Sequence, residues 1–148
     1  MLTRIDHVMI CVPDLGQGID AYTRMGFRVH PGDTAIAFFQ EDYLELASGG
    51  GGFRYVVVQS NDLAADVAAM RQRGVEVSDP TEDGRSKVAT LGPRHPLPLV
   101  FIQHLTPLDE RKRQVPRAGD HPNGVLRTDS VYIAVEDVAK AAETYSRV

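Results

Sequence analysis

The sequence lacks the features that mark a disulfide-stabilised, membrane-spanning or nucleic-acid-binding protein. Its 148 residues include a single cysteine, Cys11, so no internal disulfide can form. No apolar run approaches the roughly 20 residues that a membrane-spanning helix requires. The formal net charge is -4 and neither sign dominates a long stretch, so a nucleic-acid or anionic-membrane surface has no electrostatic support. We expect a soluble, cytoplasmic protein that binds a small molecule and can form a homodimer.

What the sequence does contain is an internal repeat. Each copy begins with an apolar run typical of a strand, continues with an Asp that suits a helix N-cap, and then follows helical spacing. The two complete copies close this helix at a glycine. They match without a gap at Asp14, Gly26 and Val29 in the first and at Asp62, Gly74 and Val77 in the second. A third copy matches Arg4, Asp6, Ile10, Val12 and Asp14 with Arg127, Asp129, Ile133, Val135 and Asp137.

The repeat predicts two βαβββ modules. Strands are expected at 5–12, 27–29, 34–39 and 43–47 in the first copy, at 55–58, 75–77, 87–91 and 99–105 in the second, and at 131–135 in the third. The first module therefore spans residues 1–48 and the second spans 53–105, joined by the flexible Gly49 to Gly52 run. Residues 106–124 read as a solvated linker, and 125–148 as the start of a third, incomplete module. Because the chain stops inside a predicted helix, we expect a longer complete protein.

Two segments resemble glyoxalase-like proteins of the vicinal oxygen chelate superfamily. They are IDHVMICVPDL, from Ile5 to Leu15, and DYLEL, from Asp42 to Leu46. The resemblance covers nearly the whole chain. It implies an α+β fold in which paired βαβββ modules form curved mixed sheets around a cup, with helices on the outer face. It further implies a divalent metal, held by side chains from the first and last strands of each module and chelated by neighbouring substrate oxygens.

Strand alternation tests part of this implication independently. His7 points away from Val8 and Ile10, which can cover a helix, and is therefore expected on the cup face. By the same alternation Glu45 faces the cup from the fourth strand. The resemblance implies that His7 and Glu45 are metal ligands, a pair suited to Zn, Mn, Fe, Co or Ni, and that Glu45 is the candidate catalytic residue.

The second module departs from the pattern of metal-binding relatives. The repeat places Tyr55 at the histidine position and Gln103 at the carboxylate position. Gln103 is then a third, weaker metal ligand, and Tyr55 is expected to contact the small molecule. Apolar contacts to the same molecule are expected from Met9, Phe39 and Phe101, with Tyr43 beside them.

Each of these assignments has a simpler structural alternative. His7 is equally readable as a hydrogen-bonded core histidine, and Glu45 as a carboxylate paired with a basic group. The aromatic residues and Met9 are typical of an ordinary core. Arg94 and His95 stand where they could reach an anionic ligand, or form a solvated turn between two prolines.

Two functions remain open at this point. One is an enzyme, a metal-dependent lyase, isomerase or dioxygenase, in which the metal polarises two substrate oxygens. The dioxygenase version is the weakest, because it calls for a second histidine facing the metal. The other is a protein of the bleomycin-resistance type that sequesters a small molecule without turnover and without a metal.

Overall fold

A computed structural model describes residues 1–93, 95–115 and 117–148 of the chain, so the predicted role of Arg94 lies outside the described residues. The fold is α+β with a mixed sheet, as the sequence predicts. Its elements, in chain order, are β1 (Leu2–Val12), α1 (Leu15–Arg24), β2 (Ala35–Phe38), β3 (Tyr43–Ser48), β4 (Gly52–Ser60), α2 (Leu63–Gln72), β5 (Thr81–Glu82), β6 (Ser86–Thr90), β7 (Leu99–His104), α3 (Leu108–Arg113) and α4 (Val138–Ser146).

The chain divides into two compact units, which we name after one residue in each. The His7 unit comprises Ile5–Val57 and Thr106–Asp129. The Gln103 unit comprises Met1–Arg4, Val58–Leu105 and Ser130–Val148. Two boundaries between the units, after Arg4 and after Val57, fall within β1 and β4.

Strand β3 organises the sheet of the His7 unit. It pairs parallel with β1, so that His7 lies opposite Tyr43 and Met9 lies opposite Glu45. It pairs antiparallel with β2, where Ile36 is the partner of Glu45. Because side chains alternate along each strand, this register puts His7, Tyr43 and Glu45 on one face.

Helix α1 packs against β3 and meets the end of β1 at Val12. Asp14 caps the helix by accepting a hydrogen bond from the backbone N–H of Gln17 at 2.8 Å. Gly18 is buried on the helix, and a Cβ added there would lie 2.9 Å from a methyl carbon of Val12. The glycine therefore allows the close approach of α1 to the face of β1 opposite His7.

The Gln103 unit repeats the strand and helix chemistry with a different core. Asp62 caps α2 by accepting from Ala65 N–H at 3.1 Å, and the buried stripe of the helix is Leu63, Val67 and Met70. Strand β6 pairs antiparallel with both β5 and β7. On β7, Phe101 has no exposed surface, which places it at the centre of this core.

Three predicted strands do not form. At the strands predicted at 27–29 and 75–77, the structure has only single β-bridges, which join His30 to Ile36 and Val77 to Leu91. The third, at 131–135, has no strand pairing within the described part of the chain, although the following α4 is capped by Asp137 as expected. A strand needs a partner, and an apolar pattern alone does not provide one. Conversely, the stretch predicted as a linker contains α3.

Candidate functional site

The site of the His7 unit is a histidine held between two carboxylates. His7 Nδ1 lies 2.8 Å from Asp6 Oδ2, and His7 Nε2 lies 3.1 Å from Glu45 Oε2. The Asp6 side chain has no exposed surface, that of His7 is 6% exposed and that of Glu45 is 14% exposed. The structure therefore brings together the two residues for which the sequence predicted convergence, and adds Asp6 to them.

Both ring nitrogens of His7 face carboxylate oxygens, which determines the charge on the ring. A neutral imidazole carries one N–H, so only the imidazolium donates to both carboxylates at once. Burial lowers the pKa of His7, but the hydrogen bonds and negative charges of Asp6 and Glu45 outweigh it and leave the pKa above its ordinary value. The two carboxyl groups thus favour the imidazolium form of His7.

Glu45 is the ionised partner that lies nearer to solvent. Burial raises its pKa, but hydrogen bonds with His7 and Thr34 and the charge of His7 outweigh burial and leave the pKa lowered. A carboxylate with a lowered pKa is a good ligand for a cation and a weak general base. In the form described, Glu45 therefore favours ligation or charge stabilisation over proton abstraction.

Aromatic rings cover one side of the cluster. The ring of Tyr43 stacks on His7 with centroids 4.1 Å apart, and Phe38 stacks on Tyr43 at 5.6 Å. Burial raises the pKa of Tyr43, and the negative charges of Asp6 and Glu45 raise it further, so its hydroxyl stays protonated. A hydrogen bond joins the Tyr43 and Asp6 side chains, in which the protonated hydroxyl is the donor.

Helix α3 supplies a cation to the buried end of the cluster. Arg111 Nη1 lies 3.9 Å from Asp6 Oδ1, and the Arg111 side chain is 15% exposed. A fully buried carboxylate is costly unless it is paired and hydrogen-bonded. Asp6 satisfies that requirement through His7, Tyr43 and Arg111 together.

The other residues predicted for this site have varied surroundings. Met9 lies opposite Glu45 in the register of β1 and β3 and is half-buried. The ring of Tyr55 lies under the guanidinium of Arg54, 5.2 Å from its carbon. Phe39 packs against Phe27 and His121, with centroids 6.2 and 5.3 Å apart, and not against His7.

Gln103 and Phe101 lie on β7 in the Gln103 unit. The Gln103 Oε1 atom accepts from the backbone N–H of Leu63 at 2.9 Å, and its Nε2 donates to the carbonyl of Asn61 at 3.3 Å. Both amide atoms are thus engaged at the start of α2, where the first backbone N–H groups of a helix need acceptors. Phe101 is fully buried core.

Sequence reasoning did not assign Asp6, Phe38 and Arg111 to the site. Strict alternation places Asp6 on the face opposite His7, yet its carboxylate reaches the ring of its own neighbour. Phe38 and Phe39 are adjacent, and no pattern in the sequence distinguishes which of them faces His7. Arg111 lies in a run of basic residues, 111–113, that is typical of a solvated segment. The one available signal was the need for a partner to a buried Asp in the first strand.

The donor atoms of the cluster fit, in part, the divalent metal that the resemblance implies. Two cis ligands of a zinc-like ion stand roughly 3.0 to 3.4 Å apart when each bond is about 2.1 Å. The 3.1 Å separation of His7 Nε2 and Glu45 Oε2 agrees with that spacing. Asp6 on Nδ1 matches the outer carboxylate that ordinarily orients a metal-binding histidine. Across the described ranges no group of three or more His, Cys, Asp or Glu side chains is arranged to hold a metal. His7 and Glu45 therefore fit as two ligands of a metal that needs others.

Comparison with known proteins identifies the family. Residues 37–148 match the family described as the glyoxalase-like domain, which is most of the chain. The chain therefore belongs to the glyoxalase-like domain family, and the resemblance noted from its sequence is confirmed. A search of curated protein sequences finds no match.

Solved structures with the same fold include methylmalonyl-CoA epimerases, members of the vicinal oxygen chelate superfamily. A variant of the Streptomyces coelicolor enzyme in complex with 2-nitronate-propionyl-CoA is 21% identical, with a TM-score of 0.60, over 72% of this chain and 100% of that one. The enzyme from Mycobacterium tuberculosis is 17% identical, with a TM-score of 0.60, over 74% of this chain and 93% of that one. At such identities the likeness establishes the fold alone. None of the described helices has the length and apolarity to cross a membrane.

Proposed function

We propose that the protein is a metal-dependent isomerase or lyase that acts on a small, oxygen-rich molecule bound at His7 and Glu45. One observation carries the proposal: an imidazole nitrogen and a carboxylate oxygen stand at ligand spacing on neighbouring strands, with a buried carboxylate behind the imidazole. Two ionisable groups held this way on rigid strands are preorganised for a cation.

The residues of the cluster have distinct parts in this chemistry. A bound divalent metal would supply a Lewis acid that polarises neighbouring substrate oxygens. His7 would hold the cation through Nε2 while its Nδ1–H donates to Asp6, and Glu45 would hold it through a carboxylate oxygen. Tyr43 and Phe38 exclude water from one side, which strengthens every charge interaction beside them.

The methylmalonyl-CoA epimerases among the structural neighbours favour isomerase chemistry over lyase chemistry. The Streptomyces coelicolor enzyme was solved in complex with 2-nitronate-propionyl-CoA. A dioxygenase is less well supported, because the site described has one histidine where that chemistry calls for two.

Sequestration without turnover is the second candidate. It is favoured by the contacts of Gln103, whose amide atoms are both engaged at the start of α2 and would have to leave Leu63 and Asn61 to bind a metal. A pocket that only binds its ligand does not need those bonds to change.

Metal titration separates the two candidates. Calorimetry with Zn²⁺, Mn²⁺, Co²⁺ and Ni²⁺ on the wild type, His7→Ala and Glu45→Ala is expected to show one site, weakened more than about 100-fold in each variant, because losing a ligand exceeds the effect of losing an outer-shell partner. His95→Ala, which removes a histidine of the Gln103 unit, is the matched control and is expected to leave affinity unchanged. A wild type that binds none of these ions, or binds them equally after both substitutions, would overturn the metal-dependent function in favour of sequestration.

A further inference from the structure

We infer that Asp6, held in place by Arg111 of α3, is the positioning residue of this site: it sets the His7 ring so that Nε2 faces Glu45. The inference rests on the proposed function and adds to it two residues outside the predicted ligand set. Asp6 is not one of the proposed ligands and acts through its bond to His7.

The argument begins with the freedom of a histidine ring. Rotation by half a turn about the bond from Cβ to the ring exchanges Nδ1 with a ring carbon and Nε2 with another, while the ring plane is unchanged. Stacking on Tyr43, with planes 17° apart, fixes the plane but discriminates poorly between the two orientations. The 2.8 Å bond from Nδ1 to Asp6 does discriminate, because the flipped ring would present a carbon to a buried carboxylate.

The second step concerns what keeps the Asp6 carboxyl group in place. Its side chain has no exposed surface, so its polar atoms need protein partners. Oδ2 of Asp6 bonds His7 Nδ1, while Oδ1 lies 3.9 Å from Arg111 Nη1. With one oxygen at each partner, Arg111 holds the carboxyl group in the orientation that meets the His7 ring. Helix α3 therefore belongs to the site through Arg111.

A purely structural ion pair is the competing explanation, and it predicts different measurements. In that case substitutions at Asp6 and Arg111 change stability but leave the orientation of His7 and the affinity for metal as they were. Asp6→Asn retains the shape and an acceptor oxygen but removes the charge. Arg111→Gln leaves Asp6 intact, and Arg113→Gln removes the same charge from the exposed end of the same helix, so it is the matched control.

The test combines nitrogen-15 NMR of the His7 ring in metal-free protein with calorimetric titration of Zn²⁺. We expect a protected, downfield Nδ1–H resonance in the wild type and in Arg113→Gln, and its loss in Asp6→Asn. Zinc affinity should fall by about 10- to 100-fold in Asp6→Asn, the usual effect of removing an outer carboxylate, and by a smaller factor in Arg111→Gln.

The outcomes separate this inference from the proposed function. Wild-type resonance and wild-type affinity in folded Asp6→Asn would overturn the role of Asp6, and Arg111→Gln indistinguishable from Arg113→Gln would overturn that of Arg111. If Asp6→Asn fails to fold, the comparison of Arg111→Gln with Arg113→Gln decides, by the Nδ1–H resonance of His7 and by zinc affinity. If the wild type binds no zinc, the proposed function fails, and the NMR result alone decides whether Asp6 orients His7.

Discussion

The first and last strands of the two modules hold matching positions with opposite chemistry. In the first module these positions are His7 and Glu45, which form a buried hydrogen-bonded cluster with Asp6. In the second they are Tyr55, which lies against Arg54, and Gln103, which is bonded to the start of α2. The comparison teaches that the repeat preserves a backbone and a hydrophobic pattern, while each copy uses the position on its last strand differently. The first copy retains groups suited to a cation, and the second uses its amide to satisfy a helix end.

The largest effect that sharpens this comparison is on stability in the Gln103 unit. Phe101→Ala removes a ring with no exposed surface, so the free energy of unfolding should fall by about 3–5 kcal/mol. Phe53→Ala, at a ring that is 46% exposed, should change it by less than about 0.5 kcal/mol. Urea denaturation measures both, and equal effects would contradict the assignment of Phe101 to a core.

A smaller effect is the pH dependence of the stability that the cluster of Asp6, His7 and Glu45 contributes. Because the folded pKa of His7 lies above its ordinary value of 6.5, the stability that His7 contributes is fully present below 6.5 and is lost as pH rises through the folded pKa. With metal removed by a chelator, the difference in unfolding free energy between the wild type and His7→Gln should therefore shrink as the pH is raised above the ordinary histidine pKa of 6.5. A difference that grows with pH would show that burial outweighs the two carboxylates.

The smallest effect concerns Gln103. Gln103→Leu removes the acceptor for Leu63 N–H, which should cost about 1 kcal/mol of stability, as for other helix-start acceptors. Metal affinity should stay at the wild-type value, because the amide serves α2. A fall in metal affinity as large as that in Glu45→Ala would instead show that Gln103 is a metal ligand. The last strands of the two modules would then have the same role.

Much of the local structure follows from sequence because it depends on neighbours along the chain. Asp14 and Asp62 cap their helices as predicted, and strand alternation correctly places His7 and Glu45 on one face. The strand predicted at 131–135 fails because pairing depends on a partner and not on the pattern alone.

The charged contacts of the site, by contrast, could not be predicted from the sequence. Arg111 reaches Asp6 only because α3 folds back within its unit, and a basic run in a Pro- and Gly-containing stretch gives no sign of that contact. Asp6 was not assigned to the site, because alternation describes where a side chain starts and not where its terminal atoms reach. Contacts between residues distant in sequence thus supply the part of the site that pattern and spacing leave out.

The most direct test of the central claim, that His7 and Glu45 share a metal oriented from behind by Asp6, is X-ray absorption spectroscopy combined with a crystal structure of the zinc-loaded protein. The account predicts zinc bound to His7 Nε2 at about 2.0–2.1 Å and to Glu45 at about 2.0–2.2 Å. It also predicts that Nδ1 still donates to Asp6. Zinc bound through Nδ1, or bound at a place that includes neither residue, would contradict it.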